Sequence, residues 1–394
     1  MGFGAVTLTT PPDRSGQVRS AWHVVVDDEL IKADETAAFL QSFVGPAAAP
    51  VWSGPYIHWK IGDANPAGRG FLTLAIHDEK IVGVASITKK RLWLGDRVVT
   101  GGELGDCYTD AGLRRHGFAA TLFPGDDNPK SYLNRSVFGR LVTETRRRAE
   151  AEGINLIYGT PNAAAMPGYR KRLGFPEYES HFNANLLRPT PCGLAFKFPF
   201  VKPFMPLLVP LDALLTTVAG ALSRFISSGV EVRPTEKVGD EIDWLWDRIK
   251  NEKGWSIVRD ARWFQYRFLE NPIARYVIYE IRRKGELKGI VVTRCFNTLR
   301  GRPYCYIADW LYSDRDTSIF RYALAEILRR IPRQELDGVL MWTENSSPSA
   351  VVARQLGFLS RGNSPIILAD TKNGKELGLT FPRLDFTLAC SDNV

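Results

Sequence analysis

The sequence has few cysteines, and they are not arranged in pairs. There are five, Cys107, Cys192, Cys295, Cys305 and Cys390, which is an odd number with no paired short spacing. A disulfide framework needs an even set at close intervals, and a structural zinc site needs paired ligands. The sequence therefore argues against both, and we expect no metal.

The N-terminus lacks the features of a targeting signal. Its first residues, MGFGAVTLTTPPDRSGQ, contain neither a basic stretch nor a long apolar run. Val6 stands where a myristoylation motif requires serine or threonine. We expect residues 1–20 to form a flexible arm, rich in Gly, Thr, Pro and Ser, on a cytoplasmic protein.

No block of like charge interrupts the chain, although its net charge is +8 and its pI about 9.2. A run as short as Arg146-Arg147-Arg148 is typical of a solvated helix face. The overall balance suits an anionic ligand or an anionic surface. Because no nucleic-acid-binding motif is present, we expect no nucleic-acid partner.

The length and an internal repeat both indicate two domains. A chain of 394 residues with 44% hydrophobic content exceeds a typical single domain and can build full cores. Near the C-terminus, Thr343-Glu344-Asn345 to Gly357-Phe358 repeats Thr160-Pro161-Asn162 to Gly174-Phe175 with the same spacing. We predict domains at 21–188 and 229–394, joined by a linker at 189–228.

The stretch from Glu103 to Phe175 is the core of the first domain. It predicts a strand at Glu103–Thr109, a polar segment, an amphipathic helix at Val137–Glu152, a buried strand and a closing helix. The backbone N–H groups at the start of the first helix are suited to bind a pyrophosphate.

The linker is apolar and rich in proline. Leu207–Ile226 could be a helix, but Pro210 and Asp212 are expected to interrupt it, leaving it short of a transmembrane span. A packing linker is one interpretation. A peripheral membrane contact through 193–226 is the other, because Lys197, Lys202 and Arg224 flank the apolar part.

Both halves resemble the GNAT superfamily of N-acyltransferases, which move an acyl group from acyl-CoA to an amine. In the first half, Asn162, Tyr169 and Gly174-Phe175 are similar to the family ending N-x₆-Y-x₄-G-F. In the second half the likeness rests on the layout and the ending. The resemblance implies an α/β (α+β) fold of two tandem GNAT-like domains, each a mixed, mostly antiparallel sheet flanked by helices.

The family's pyrophosphate loop has two candidate positions. Arg114–Ala119 matches the family letters R/Q-x-x-G-x-G/A, but Pro124 would stop a helix after one turn. Tyr132–Gly139 resembles the family run Y-R-G-R-G-I-F-G and leads into a full-length helix, so we prefer it. On that interpretation residues 111–131 are an insertion, and Ser136 stands where glycine is expected.

The resemblance also implies which residues form the site. Tyr169 would be the general acid that protonates the departing CoA sulfur, and Glu103 or Asp106 a base. Each also has a structural alternative: ring packing for Tyr169, and support of loop N–H groups for the acids. The implied acetyl-CoA contacts are Cys107, Tyr108, Thr109, Arg135, Ser136, Val137, Phe138, Gly139 and Asn162.

Three functions remain open. The first is transfer of an acyl group from acetyl-CoA to a small-molecule amine, such as an amino sugar of surface polysaccharide. The second is a non-catalytic GNAT-like binding protein, and the third a Fem-type aminoacyltransferase. When Asn345 is aligned with Asn162, Val352 stands at the position of Tyr169. If either domain is catalytic, we therefore expect it to be the first.

Overall fold

The computed structural model describes residues 22–44, 52–110, 136–162, 165–175, 183–226, 228–298, 301–332, 335–364, 366–376 and 384–391. The chain divides into two compact units, each made of separate stretches of sequence. Unit 1 comprises residues 1–91, 99–178 and 366–380, and unit 2 comprises residues 92–98, 179–365 and 381–394.

Unit 1 is a mixed sheet covered by helices. Its helices are α1 Ala33–Val44, α2 Gly54–Ile61, α3 Val137–Ala151, the closing π-helical turn Gly168–Arg172 and the short α10 Lys372–Glu376. Its strands are β1 His23–Asp27, β2 Phe71–His77, β3 Lys80–Trp93, β4 Val98–Thr109, β5 Leu156–Gly159 and β14 Ile367–Asp370. They lie in the order β1-β2-β3-β4-β5-β14. The neighbours β4 and β5 are parallel, whereas β14 is antiparallel to β5.

The alternation of side chains along β2 shows how unit 1 buries both faces of its sheet. Phe71 and Ala75 pack with Leu141 of α3, whereas Leu72 and Leu74 pack on the opposite face with α1 and α2. A strand that is covered on both sides needs apolar residues at successive positions. The sequence FLTLAIH meets that requirement.

Unit 2 repeats this layout. Its sheet has the order β13-β6-β12-β11-β10-β9-β7. The strands are β6 Asn183–Pro189, β7 Val230–Thr235, β9 Val277–Arg283, β10 Glu286–Asn297, β11 Pro303–Tyr312, β12 Gly338–Glu344 and β13 Leu359–Ser364, and the short strands β8 Trp255–Ile257 and β15 Leu384–Asp385 pair in parallel. The helices are α4 Pro191–Lys197, α5 Met205–Ile226, α6 Glu241–Ile249, α7 Ala261–Phe264, α8 Thr317–Arg330 and α9 Pro348–Gln355. Within each unit the sheet is mixed, as the sequence predicts for a tandem GNAT-like fold.

One strand of each sheet comes from an unexpected part of the chain. β6 follows the closing helix of unit 1 in sequence, yet it lies in the sheet of unit 2 between β12 and β13. β14 follows β13 of unit 2 in sequence, yet it pairs with β5 of unit 1. Each half of the chain therefore supplies one strand to the sheet that the other half mainly builds, and neither sheet is complete without it.

A buried cation fixes the C-terminal segment to unit 2. Arg259 is fully buried, and its Nε lies 2.9 Å from Oδ1 of Asp309 on β11. Its Nη1 lies 3.1 Å from Oδ2 of Asp385 on β15. Because a buried charge without a partner is costly, this cluster holds residues 384–391 in place.

The expectation that Pro210 and Asp212 interrupt the linker helix was wrong. α5 runs for 22 residues with Pro210 inside it. Pro210 and Pro206 are both exposed, so the carbonyl that loses its helical partner can bond to water. The stretch Pro199–Val218 has a mean hydropathy of 1.4 over 20 residues and is long and apolar enough to cross a membrane by length and composition. The expectation that this segment falls short of a transmembrane span was therefore also wrong.

Candidate active site

Two parallel strands separate in the middle of unit 1. β4 pairs with β5 through Gly101, Gly102 and Glu103 only, and its last partner on β5 is Tyr158. β4 then continues to Thr109. Residues 105–108 are partly exposed, whereas residues 101–104 are buried. The divergence opens one side of β4 at Asp106, Cys107 and Tyr108, three of the predicted site residues.

Asp106 lies on the open stretch and is held by two side chains. Lys60 of α2 places Nζ 2.7 Å from Oδ2 of Asp106, and both side chains are buried or nearly so. The hydroxyl of Ser86 on β3 donates to the same oxygen at 2.8 Å. Asp106 has a φ of 49°, a left-handed conformation that costs about 1–3 kcal/mol for a residue other than glycine. The ion pair and the hydrogen bond offset that cost.

Glu103 lies one step deeper on the same strand. It is buried, and its Oε2 lies 3.2 Å from Nζ of the buried Lys90 on β3. Both members of this pair are shielded from solvent. The two predicted bases therefore differ: Asp106 lies on the open stretch, and Glu103 lies inside the sheet.

The N-terminus of α3 is capped by Ser136. Its Oγ accepts a hydrogen bond from the backbone N–H of Gly139 at 2.9 Å. By helix geometry, the N–H groups of the first turn, including those of Val137 and Phe138, have no acceptor within the helix. An anion is stabilised at such a terminus by these N–H groups and by the helix dipole.

Tyr169 joins the closing turn to the open stretch of β4. Its ring packs edge-on against Phe138 and Phe175, with ring centroids 5.1 and 5.6 Å away. Its hydroxyl lies beside the thiol of Cys107. Burial, with Cys107 beside it, raises the pKa of Tyr169 well above its usual value of 10. The phenol therefore keeps its proton at neutral pH.

Cys107 is not a nucleophile in this setting. Burial raises the pKa of its thiol to about 12, although part of the residue still reaches solvent. Because the thiolate is the reactive form, a thiol with so high a pKa is inert near neutrality. Its sulfur lies beside the hydroxyl of Tyr169.

Asn162 and Gly174 bracket the closing helical turn. Oδ1 of Asn162 accepts a hydrogen bond from the backbone N–H of Ala165 at 2.9 Å, so this side chain caps the turn. Gly174 has a φ of 65° and ends the turn. In unit 2, Gly357 has a φ of 84° and also precedes a buried phenylalanine, Phe358.

At two aligned positions that the structure describes, unit 2 has apolar residues where unit 1 has Glu103 and Tyr169. In unit 1, Glu103 on β4 is the strand partner of Tyr158 on β5. The repeat aligns Tyr158 with Met341, and the strand partner of Met341 on β11 is Ile307. An isoleucine therefore stands where unit 1 has Glu103. Val352, at the tyrosine position, is buried in the core. The helix that corresponds to α3 follows directly after Asp316, and Asp314 lies just before. Carboxylates at a helix N-terminus disfavour a pyrophosphate there.

Several predicted features lie outside the described residues. These are the arm at 1–20, the first loop candidate at 114–119, the proposed insertion at 111–131 and Arg135. The site residues that sequence reasoning missed are Lys60, Ser86 and Lys90. One signal pointed to Lys60: Trp59-Lys60 followed by Asn65-Pro66 is paralleled by Tyr266-Arg267 and Asn271-Pro272, and Arg267 is also a buried cation.

The fold has close parallels among solved structures. No protein-family model matches the chain, and no curated protein matches its sequence. A tandem GNAT protein from the clavulanic acid biosynthesis pathway matches with a TM-score of 0.52 at 14% identity, over 89% of this chain and 99% of that one. This chain has a tandem GNAT fold.

Two further structures share the fold. A GCN5-related N-acetyltransferase from Anabaena variabilis has a TM-score of 0.54 at 13% identity, over 89% of this chain and 73% of that one. An N-myristoyltransferase from Saccharomyces cerevisiae, solved with bound myristoyl-CoA, has a TM-score of 0.55 at 12% identity, over 93% of this chain and 83% of that one. At these identities the likeness concerns the tandem GNAT fold alone.

Proposed function

We propose that the protein transfers an acyl group from acyl-CoA, with acetyl-CoA as the first donor to test, to a primary amine, and that unit 1 performs the reaction. The observation that carries the proposal is the hydroxyl of Tyr169. Burial raises its pKa, so it keeps its proton at neutral pH, and it lies beside the sulfur of Cys107 on the stretch of β4 that has separated from β5. A departing CoA thiolate would accept that proton.

The reaction requires two proton movements. The amine nitrogen attacks the thioester carbonyl, a C–N bond forms and the C–S bond breaks. Tyr169 would supply the proton that the leaving sulfur takes up. Asp106, on the open stretch of β4, would accept the proton that the amine loses, directly or through water. Glu103 and Asp106 are both paired with a buried lysine, and we prefer Asp106 because it lies among the partly exposed residues 105–108.

The N-terminus of α3 would hold the pyrophosphate of CoA. The N–H groups of Val137 and Phe138 supply donors, and the helix dipole favours a negative charge. In unit 2 the residue at the start of α8 is Asp316, and its carboxylate disfavours an anion at that helix N-terminus. We therefore propose one acyl-CoA site per chain.

The acceptor class that we would test first is an amino sugar. Release of free CoA thiol from acetyl-CoA can be followed with a thiol reagent across a panel of small amines that includes amino sugars. Thiol release that depends on an amine supports the proposal. No acyl transfer to any amine, together with no thermal shift on adding acetyl-CoA or other acyl-CoA donors, would contradict it and favour an aminoacyl-tRNA donor.

A second candidate is a binding protein without catalysis. One observation favours it: the Ser136 hydroxyl already engages the N–H of Gly139, which would otherwise be available to a phosphate. This candidate predicts that no thiol is released from acetyl-CoA with any amine.

A further inference from the structure

An apolar surface lies on the segment between β6 and β7 in unit 2. On α5, Leu207, Leu211, Leu214 and Val218 recur at helical spacing, and 46–69% of each is exposed. Just before the helix, Phe200 is 72% exposed and Phe204 is 56% exposed. Soluble proteins rarely expose so continuous an apolar stripe unless it contacts a partner or a membrane. We refer to the exposed phenylalanine, leucine and valine side chains from Phe196 to Val218 as the apolar surface.

The opposite side of α5 is fixed to unit 2. The helix packs on α8. Arg188 of β6 is buried, and its Nη2 lies 2.6 Å from Oδ1 of Asp212 and 2.8 Å from Oγ1 of Thr216. This polar contact ties α5 to the sheet and sets which side of the helix faces outward. The apolar surface is therefore a fixed feature of unit 2.

The segment that carries the apolar surface is basic. From Thr190 to Leu211 the sequence contains Lys197 and Lys202 and no acidic residue. Both lysines are exposed. The one acidic residue between Thr190 and Val230 is Asp212, which is engaged by Arg188. An apolar stripe beside exposed cations complements a membrane that carries anionic headgroups.

The topology decides how this segment can meet a bilayer. β6 ends at Pro189 and β7 begins at Val230, and both strands belong to the same sheet of unit 2. A helix that crossed a bilayer would carry its two ends to opposite sides. The return of the chain to the same sheet is instead compatible with a helix that lies along the surface.

We propose that the apolar surface docks on an anionic lipid bilayer, with α5 lying in the interfacial plane and Lys197 and Lys202 contacting headgroup phosphates. Phe200, Leu207 and Leu214 enter the boundary between headgroups and acyl chains. The proposal does not depend on the acyl-transfer activity, because every residue in it belongs to unit 2.

The test is co-sedimentation of the full chain with vesicles of phosphatidylcholine, with and without phosphatidylglycerol. We expect binding that requires phosphatidylglycerol and weakens at high salt. The double variant Lys197→Gln with Lys202→Gln should bind about thirtyfold more weakly, because each basic residue near an anionic surface contributes about fivefold. Lys237→Gln with Lys284→Gln removes the same charge elsewhere on unit 2 and should leave binding unchanged.

The apolar part is tested by Leu207→Gln with Leu214→Gln, which should lose more than about tenfold in binding. Its matched control is Trp244→Gln with Leu359→Gln, two residues that are 71% and 61% exposed elsewhere on unit 2. The proposal is overturned if the wild type stays in the supernatant with both kinds of vesicle. It is also overturned if the Leu207 and Leu214 variant and its Trp244 and Leu359 control lose binding equally. It is also overturned if sedimentation velocity without lipid shows a dimer that the Leu207 and Leu214 changes dissolve, because the surface is then an interface between copies.

Discussion

Nζ of Lys60 lies 2.7 Å from Oδ2 of Asp106, and this ion pair ties α2 to the stretch of β4 that has separated from β5. The same carboxylate also accepts from Ser86. The pair thus orients the one acidic side chain on the open part of the candidate site. It also supports a backbone conformation that aspartate seldom adopts.

The first prediction concerns that ion pair. Lys60→Met should lower the free energy of unfolding by about 3–5 kcal/mol, because it leaves a buried carboxylate unpaired. Adding Asp106→Asn to Lys60→Met should recover part of the loss. Urea denaturation measures both. The control is Lys32→Met, whose exposed pair with Glu35 should contribute less than about 1 kcal/mol. Equal effects at Lys60 and Lys32 would contradict the account.

The second prediction tests the strand exchange. Ile367 on β14 is buried in the core of unit 1. Ile367→Ala should destabilise unit 1 by about 2–5 kcal/mol and increase hydrogen exchange at the β5 residues Leu156–Gly159, its strand partners. Leu359→Ala on β13, an exposed position, should leave β5 protection unchanged. If exchange at β5 did not respond to Ile367→Ala, the pairing of β14 with β5 would be wrong.

Most of the tandem fold follows from the sequence, but the exchanged strands do not. The 3.6-residue period of Val137–Ala151 and the repeated Asn-to-Gly spacing are local signals, and each predicts its element correctly. β6 and β14 are ordinary strands whose partners are set by long-range packing. Nothing in their own residues distinguishes one sheet from the other.

Only some residues of the candidate site could be predicted from the sequence. Tyr169, Asn162 and Ser136 stand in motifs with recognisable spacing. Lys60, Ser86 and Lys90 come from separate elements and meet β4 only when the sheet forms. The effect of Pro210 was predicted wrongly for a different reason. A proline inside a helix removes one backbone hydrogen bond, but at an exposed position the carbonyl left without a partner can bond to water.

The third prediction compares two thiols. The pKa of Cys107 is raised to about 12 by burial, whereas a hydrogen bond with Cys305 lowers the pKa of the exposed Cys295. The reactive thiolate is therefore scarce at Cys107 near pH 8, and iodoacetamide should label Cys295 at least about a hundredfold faster. Peptide mapping by mass spectrometry measures both rates. Fast labelling of Cys107 would show that the thiol is not buried beside Tyr169.

The fourth prediction concerns Tyr169. Tyr169→Phe keeps the ring between Phe138 and Phe175 and removes only the hydroxyl. If that hydroxyl is the general acid, turnover should fall about a hundredfold to ten-thousandfold, with acetyl-CoA affinity nearly unchanged. Turnover within a factor of about three of the wild type would assign Tyr169 a packing role alone.

The raised pKa of Tyr169 adds a pH test. A tyrosine with its ordinary pKa would lose its proton, and an acid-catalysed rate would fall, as the pH passes 10. Because burial raises the pKa of Tyr169 well above that value, the wild-type rate should show no such decline up to pH 10. The buried phenol also stabilises the fold below pH 10, and that contribution is lost as the pH rises further.

The central claim is that the N-terminus of α3 in unit 1 holds the pyrophosphate of one acyl-CoA. Ser136→Asp and Ser136→Asn test it as a matched pair, because both residues cap a helix well and differ only in charge. Isothermal titration of the wild type with acetyl-CoA should give one site per chain. Ser136→Asn should bind within about threefold of the wild type, and Ser136→Asp should lose about tenfold to a hundredfold through charge repulsion. Equal affinities for the two variants, or two sites per chain, would contradict the account.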